Sequence, residues 1–174
     1  MEGLLSDYVC GRVVRVLNYD EFEVEMDVKI GDFVKVGDLI AVVYSIYEEE
    51  PEYIKYLGDI EKEELKKFAP DLIKERKIAR CLILCKEDLE EARYPPRIGD
   101  KVEKISEFEL RKLHFKGGEL KIPYLINLIR KTRDVGLVRS IIVRLMRLIP
   151  EEYDLLEILL AEIEYSRMRG VSLE

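Results

Sequence analysis

Between Glu21 and Asp27 apolar and acidic residues alternate without a fault: Phe22, Val24 and Met26 on one side, Glu21, Glu23, Glu25 and Asp27 on the other. A period of two predicts a β-strand with one buried face and one solvated acidic face. Leu39 to Ile46 is apolar on both sides and reads as the most buried strand. Tyr8–Leu17, Ile78–Cys85 and Lys101–Ile105 complete the strand candidates. Three Gly-Asp steps punctuate them: Gly31-Asp32, Gly37-Asp38 and Gly99-Asp100. Gly and Asp accept turn conformations that β-branched neighbours resist, so these steps predict tight corners between short strands. The pattern is that of a small β-barrel.

Two stretches break the rhythm. Glu48-Glu49-Glu50-Pro51 reads as a polar stop. A helical insertion follows over about residues 59–77, with Asp59 as its cap and Pro70 ending its helix. Further on, Ser106-Glu107-Phe108-Glu109 is a capping box ahead of Leu110 and Leu113. That helix is expected to stop at Lys116-Gly117-Gly118, and the glycine doublet is the candidate domain boundary. From Ile122 the period becomes helical. The first helix has Pro123 at its first position, the second carries Val138, Ile141, Ile142, Leu145, Met146 and Ile149, and the third runs from Pro150 to near Gly170. Apolar residues fill more than one stripe on the second and third helices, so these helices must pack on the barrel or on another subunit. The expected fold is α+β: a barrel domain over residues 1–116, then an α-helical domain over 119–174.

Composition adds charge to this picture. The chain has 174 residues, 37% of them charged, and a formal net charge of −7. Residues 1–60 hold 14 acidic and 5 basic side chains, whereas residues 111–149 hold 10 basic and 2 acidic ones. Such asymmetry can pair parts of one chain, pair two copies, or bind an anion. There is no Gln and no Trp, and only two Asn and one Thr, a composition typical of hyperthermophiles. No apolar run reaches the ~18 residues of a membrane span. The opening residues lack the basic and apolar regions of a signal peptide. The expected location is cytoplasmic.

Candidate chemistry is sparse. Strand alternation places Cys81 and Cys85 on one face about 13 Å apart, too far for a disulfide. His114 is the only histidine, so a Ser–His–Asp set would depend on it alone, and a metal role for the cysteines lacks a second ligand pair. His114 reads as a structural or surface residue. No phosphate-binding glycine loop, GxGxxG, HExxH or GxSxG motif is present. Carboxylates alternating along Glu21–Asp27 stand ~6.6 Å apart, wide for chelation. No catalytic, cofactor-binding or metal-binding residues are expected, and no cofactor. Arg130, Lys131, Arg133, Arg139, Arg144 and Arg147 form the one candidate binding group, a basic run that could track a phosphate backbone. Interleaved exposed aromatics are missing. The competing reading pairs these residues with Glu151, Glu152, Glu157 and the acidic barrel.

Two likenesses to known families follow. Val28 to Val43 is similar to a lipoyl or biotinyl carrier domain, but Tyr44-Ser45-Ile46-Tyr47-Glu48 holds no acceptor lysine. That likeness is one of corner chemistry. The second runs from Gly11 to about Phe115. It is carried by Gly11-Arg12-Val13-Val14, Glu21-Phe22-Glu23-Val24, Ile30-Gly31-Asp32-Phe33-Val34, Tyr94-Pro95-Pro96-Arg97-Ile98-Gly99-Asp100-Lys101-Val102 and Phe108–Leu113. In this order they resemble the HAS-barrel, shared by HerA-type archaeal DNA-translocating ATPases and the crown of ATP synthase. The resemblance implies subunit contact in a ring, or docking onto a partner such as a nuclease. Where that family continues into an ATPase domain, this chain continues into roughly 55 residues of helix pattern with no phosphate loop. ATP hydrolysis is therefore not carried over. The expectation is a non-enzymatic interaction or adaptor module acting through a protein partner or self-association, with nucleic-acid binding as the alternative and no membrane partner.

Overall fold

The computed structural model describes residues 9–50, 54, 56–70 and 76–168. Six strands close a barrel: β1 (Cys10–Asn18), β2 (Glu21–Glu25), β3 (Phe33–Val36), β4 (Leu39–Glu49), β5 (Arg76–Lys86) and β6 (Lys101–Lys104). Their order around the barrel is β1-β2-β5-β4-β3-β6, and every neighbouring pair is antiparallel. Closure removes the edge strands that invite sheet-to-sheet addition. The fold is α+β, with helices α1 (Asp59–Phe68), α2 (Glu107–His114), α3 (Leu125–Thr132), α4 (Val135–Leu148) and α5 (Tyr153–Met168).

The Gly-Asp corners are of two kinds. At Gly31 and Gly99 the backbone has φ of +95° and +92°, which a side chain would strain. In both turns the Asp amide bonds back three residues, Asp32 N to Lys29 O and Asp100 N to Arg97 O, each at 3.0 Å. The Asp carboxylate accepts in return from the amide of Lys29 or Arg97, each at 2.8 Å. Gly37-Asp38 instead joins β3 to β4 as a two-residue hairpin, Val36 facing Leu39.

Inward-facing residues from all six strands fill the barrel: Val13, Phe22, Val24, Val34, Val36, Leu39, Ala41, Val43, Ala79, Cys81, Ile83 and Val102 among them. The opposite face of β3–β5 carries Phe33, Ile40, Val42, Leu82 and Cys85. It is covered by the helices, through Leu110, Leu128, Val138, Ile141, Ile142, Leu145, Ile149, Leu156 and Ile163. Burial on both faces explains why β4 begins as an unbroken apolar run.

Several expectations are corrected. Cys81 and Cys85 do not share a face. Ile40 pairs with Cys85 but Ala41 pairs with Ile83, so Leu84 is an extra residue that reverses the alternation. Cys81 lies inside the barrel and Cys85 under the helices. The strand does not stop at Glu48, because Glu48 and Glu49 face Lys77 and Arg76 of β5, and Arg76 Nη2 lies 3.4 Å from Glu49 Oε2. Opposite charges across a ladder support it where a single-strand reading sees a polar stop. The glycine doublet turns a small hairpin between β7 (Phe115–Lys116) and β8 (Glu119–Leu120). The insertion helix α1 is capped by Glu61, whose carboxylate accepts from the Gly58 amide at 3.3 Å, and not by Asp59. Pro123 precedes α3 by two residues. Residues 71–75, in the second half of the expected insertion, and Gly170 lie outside the described residues.

Candidate interaction surface

The six basic candidates do not form one track. Lys131 Nζ lies 2.8 Å from Asp20 Oδ2 and 5.2 Å from the centroid of the Tyr19 ring, drawn into a cleft between the β1–β2 turn and α3. Its hydrogen bond to Asp20 raises its pKa. Arg139 Nε meets Glu164 Oε1 at 2.9 Å, tying α4 to α5. Arg147 Nη2 meets Glu107 Oε1 at 2.5 Å, tying α4 to the start of α2. Arg144 reaches the barrel: its guanidinium donates to Gly31 O at 3.1 Å and stands 3.8 Å from Asp32 Oδ1. Arg130 and Arg133 are exposed and make no ion pair among the described residues. Of the acids expected as partners, Glu151, Glu152 and Glu157 pair with none of these six residues. Glu151 is held by Arg111, at 2.9 and 2.6 Å, and its pKa is lowered to about 2 by that hydrogen bond. The barrel does supply partners as expected, Asp20 to Lys131 and Asp32 to Arg144.

Arg144 marks a join that the sequence pattern conceals. Asp32 is 6% exposed, and besides Arg144 it faces Lys104 Nζ at 3.7 Å and accepts from the Lys29 amide. A buried carboxylate needs such partners. Gly31 lies directly beneath α4: a Cβ there would stand 3.7 Å from Ser140 Oγ and 3.9 Å from Leu137 Cδ1. One corner of the barrel thus seats the central helix.

The acidic face of β2 is not fully solvated. Glu23 is 1% exposed. Its carboxylate accepts from Arg15 Nη1 at 3.3 Å and from the Tyr47 hydroxyl, with Arg80 Nε at 3.8 Å. Arg80 also lies over the Tyr47 ring, 5.2 Å from its centroid. Glu21 accepts from the Tyr44 hydroxyl at 3.4 Å. Desolvation and Glu21 push the Tyr44 pKa up to about 12. This network laces four strands together. Tyr44 and Tyr47 are the sequence signal for it, aromatic hydroxyls in a strand that pairs with β5 beside β2. Among the described residues no group of three or more His, Cys, Asp or Glu side chains could hold a metal ion. Among them, too, no helix is long and apolar enough to cross a membrane.

The exposed surface of the helical layer is more informative. α5 carries two apolar seams. Leu156 and Ile163 are buried against the core and Leu159 and Leu160 pack beside them. On the other side Leu155 is 46%, Ile158 60% and Tyr165 55% exposed. Positions 155, 158, 162 and 165 repeat at intervals of three and four, the spacing of a seam between two helices. Asp154, Glu157 and Glu162 flank or interrupt that outer seam; they are exposed and make no ion pair among the described residues. A second helix at the outer seam would meet an apolar stripe edged with negative charge.

No protein-family model matches the chain, and no curated protein sequence matches it.

Proposed function

We propose that this protein is a non-enzymatic interaction module, an adaptor whose barrel fixes a helical layer and whose outermost helix, α5, docks a protein partner. The observation that carries the reading is the double seam of α5. Leu156 and Ile163 satisfy the core, while Leu155 and Ile158 remain exposed at helix-pairing intervals. Large apolar side chains in such a row lose little by being covered and gain about 25 cal/mol per Å² of apolar surface removed from water. The HAS-barrel resemblance favours the HerA-type DNA-processing ATPase and nuclease systems as the machinery that this module serves, and the closed six-stranded barrel is compatible with it.

The test is affinity capture with the purified chain as bait. Wild type recovers a ring ATPase or a nuclease, and Ile158→Lys, which places a charge on the exposed seam, recovers less than a tenth as much. Equal recovery by both baits overturns α5 as the docking element. Recovery of neither enzyme overturns the assignment to that machinery.

Nucleic-acid binding is a second reading, and it rests on Arg130 and Arg133, since the other four basic candidates are engaged by acidic side chains. Two phosphate contacts give a salt slope of only about −2 on a log–log plot of affinity. A mobility shift at low salt that disappears in Arg130→Glu/Arg133→Glu supports it; no shift at low salt sinks it.

A further inference from the structure

We infer that α5 seats a second copy of this chain, bound head to tail through its α3, and that an ATPase or nuclease meets the assembly so formed. The inference rests on the reading of α5 as the docking surface and assigns that surface an occupant. Ile126 is 58% exposed on α3. Arg130 follows it at an interval of four, on the same side of the helix, and Arg133 is the left-handed residue that closes the end of α3. This side is apolar at its start and positive towards its end. Neither arginine has an ion-pair partner among the described residues. The outer seam of α5 is its complement: Leu155 and Ile158 are apolar and exposed, and Asp154, Glu157 and Glu162 beside them are likewise unpaired there.

A symmetric pairing of two α5 helices fits less well. It would bring Asp154, Glu157 and Glu162 of one copy towards the same three acids of the other, and like charges in contact disfavour association. Joining α5 of one copy to α3 of the next sets three acids against two arginines and covers Ile126 with Leu155 and Ile158. Such a contact uses two different patches. It therefore leaves each copy with one donor and one acceptor surface, and propagates until a ring closes or a filament grows. The same charge pairs make it salt-sensitive, because exposed charges are screened over about 8 Å at physiological ionic strength.

The test uses two charge-reversed variants, Arg130→Glu/Arg133→Glu and Glu157→Arg/Glu162→Arg, with circular dichroism showing that both keep their helix content. In light scattering, wild type is oligomeric at low salt and dissociates as salt rises. Each variant alone associates at least tenfold more weakly. An equimolar mixture regains assembly, because α5 of the first variant still fits α3 of the second and the two reversed patches fit one another. A monomeric wild type, or a mixture that stays dissociated, overturns the head-to-tail contact. In that case the docking role of α5 is judged separately by the Ile158→Lys capture. Assembly that is lost in Ile158→Lys yet unchanged in both charge-reversed variants overturns the α3 half alone.

Discussion

His114 has no exposed surface, and its two ring nitrogens have fixed duties. Nδ1 lies 2.8 Å from Leu110 O, an oxygen that can only accept, so Nδ1 carries the proton. Nε2 is then the acceptor, and the Tyr124 hydroxyl donates to it. Phe33 meets both rings edge-on, at 5.7 and 6.3 Å between centroids, so the pair binds the barrel to the helical layer. Burial lowers the His114 pKa from 6.5 to about 4. Between those values the unfolded chain binds the proton and the folded one does not. Stability is therefore complete above pH 6.5, falls as pH drops through this window, and has lost on the order of 3 kcal/mol by pH 4. Urea unfolding from pH 7 to 4 measures the slope, and His114→Phe flattens it. Tyr124→Phe leaves Nε2 buried without a donor and costs about 1–3 kcal/mol at pH 7. The thiols give an independent check on burial. Cys10 is exposed, whereas burial raises the pKa of both Cys81 and Cys85, the latter to about 12. A thiol reagent should label one cysteine in the native protein and all three after unfolding.

At the scale of elements, two close approaches hold the arrangement. A Cβ on Gly11 would lie 2.3 Å from Glu25 O and 2.8 Å from Met26 Cβ, so β1 can cross β2 only with glycine there. Gly11→Ala should lower stability by about 1–3 kcal/mol in denaturant titration. The second approach is α4 on the Gly31 corner. Arg144→Met removes the hydrogen bond to Gly31 O and one partner of the buried Asp32, for about 1–3 kcal/mol. Arg147→Met removes only an exposed pair with Glu107 and should cost less than about 1 kcal/mol. Equal effects of the two substitutions would refute Arg144 as the anchor. Much at this scale was legible beforehand. Ser106 accepts from the Glu109 amide at 3.2 Å, as its capping box requires, and Phe22 and Val24 face the barrel interior as the period of two predicts. The extra residue at Leu84 was not legible, because a bulge is defined by the partner strand it faces and not by its own neighbours.

For the whole molecule, a single apolar cluster runs from Phe33, Ile40, Val42 and Leu82 on the barrel to Leu128, Ile142, Leu145 and Leu156 in the helices. Separating the two layers would expose both sides of it at once. Thermal unfolding followed by near-ultraviolet and far-ultraviolet circular dichroism should give coincident transitions. Two separated transitions would mean that barrel and helices are independent. The surface pattern belongs to this scale as well. Ten basic residues against two acids in 111–149 look like a binding track in one dimension. In three dimensions Lys131 and Arg144 turn to the barrel, Arg139 and Arg147 turn to neighbouring helices, and Arg130 and Arg133 are left facing outwards.

The residues by themselves determine the periods, the corners and the caps, because these depend on backbone sterics and on neighbours within four positions. Alternation at Phe22 and Val24, the turns at Gly31 and Gly99, and the helical spacing of Leu137, Ile141 and Leu145 all follow from that local physics. They determine a surplus of apolar residues in the last helices too. Only the tertiary structure decides where that surplus points and which charges cancel. Glu23 is a solvated acid by its neighbours and a buried one once Tyr47, Arg15 and Arg80 close over it from other strands. Leu155 and Leu156 are equivalent by composition, and only the packing of α5 on the apolar cluster buries one and exposes the other. Ion pairs and packing join residues far apart along the chain, and their energies depend on distances that sequence order does not contain.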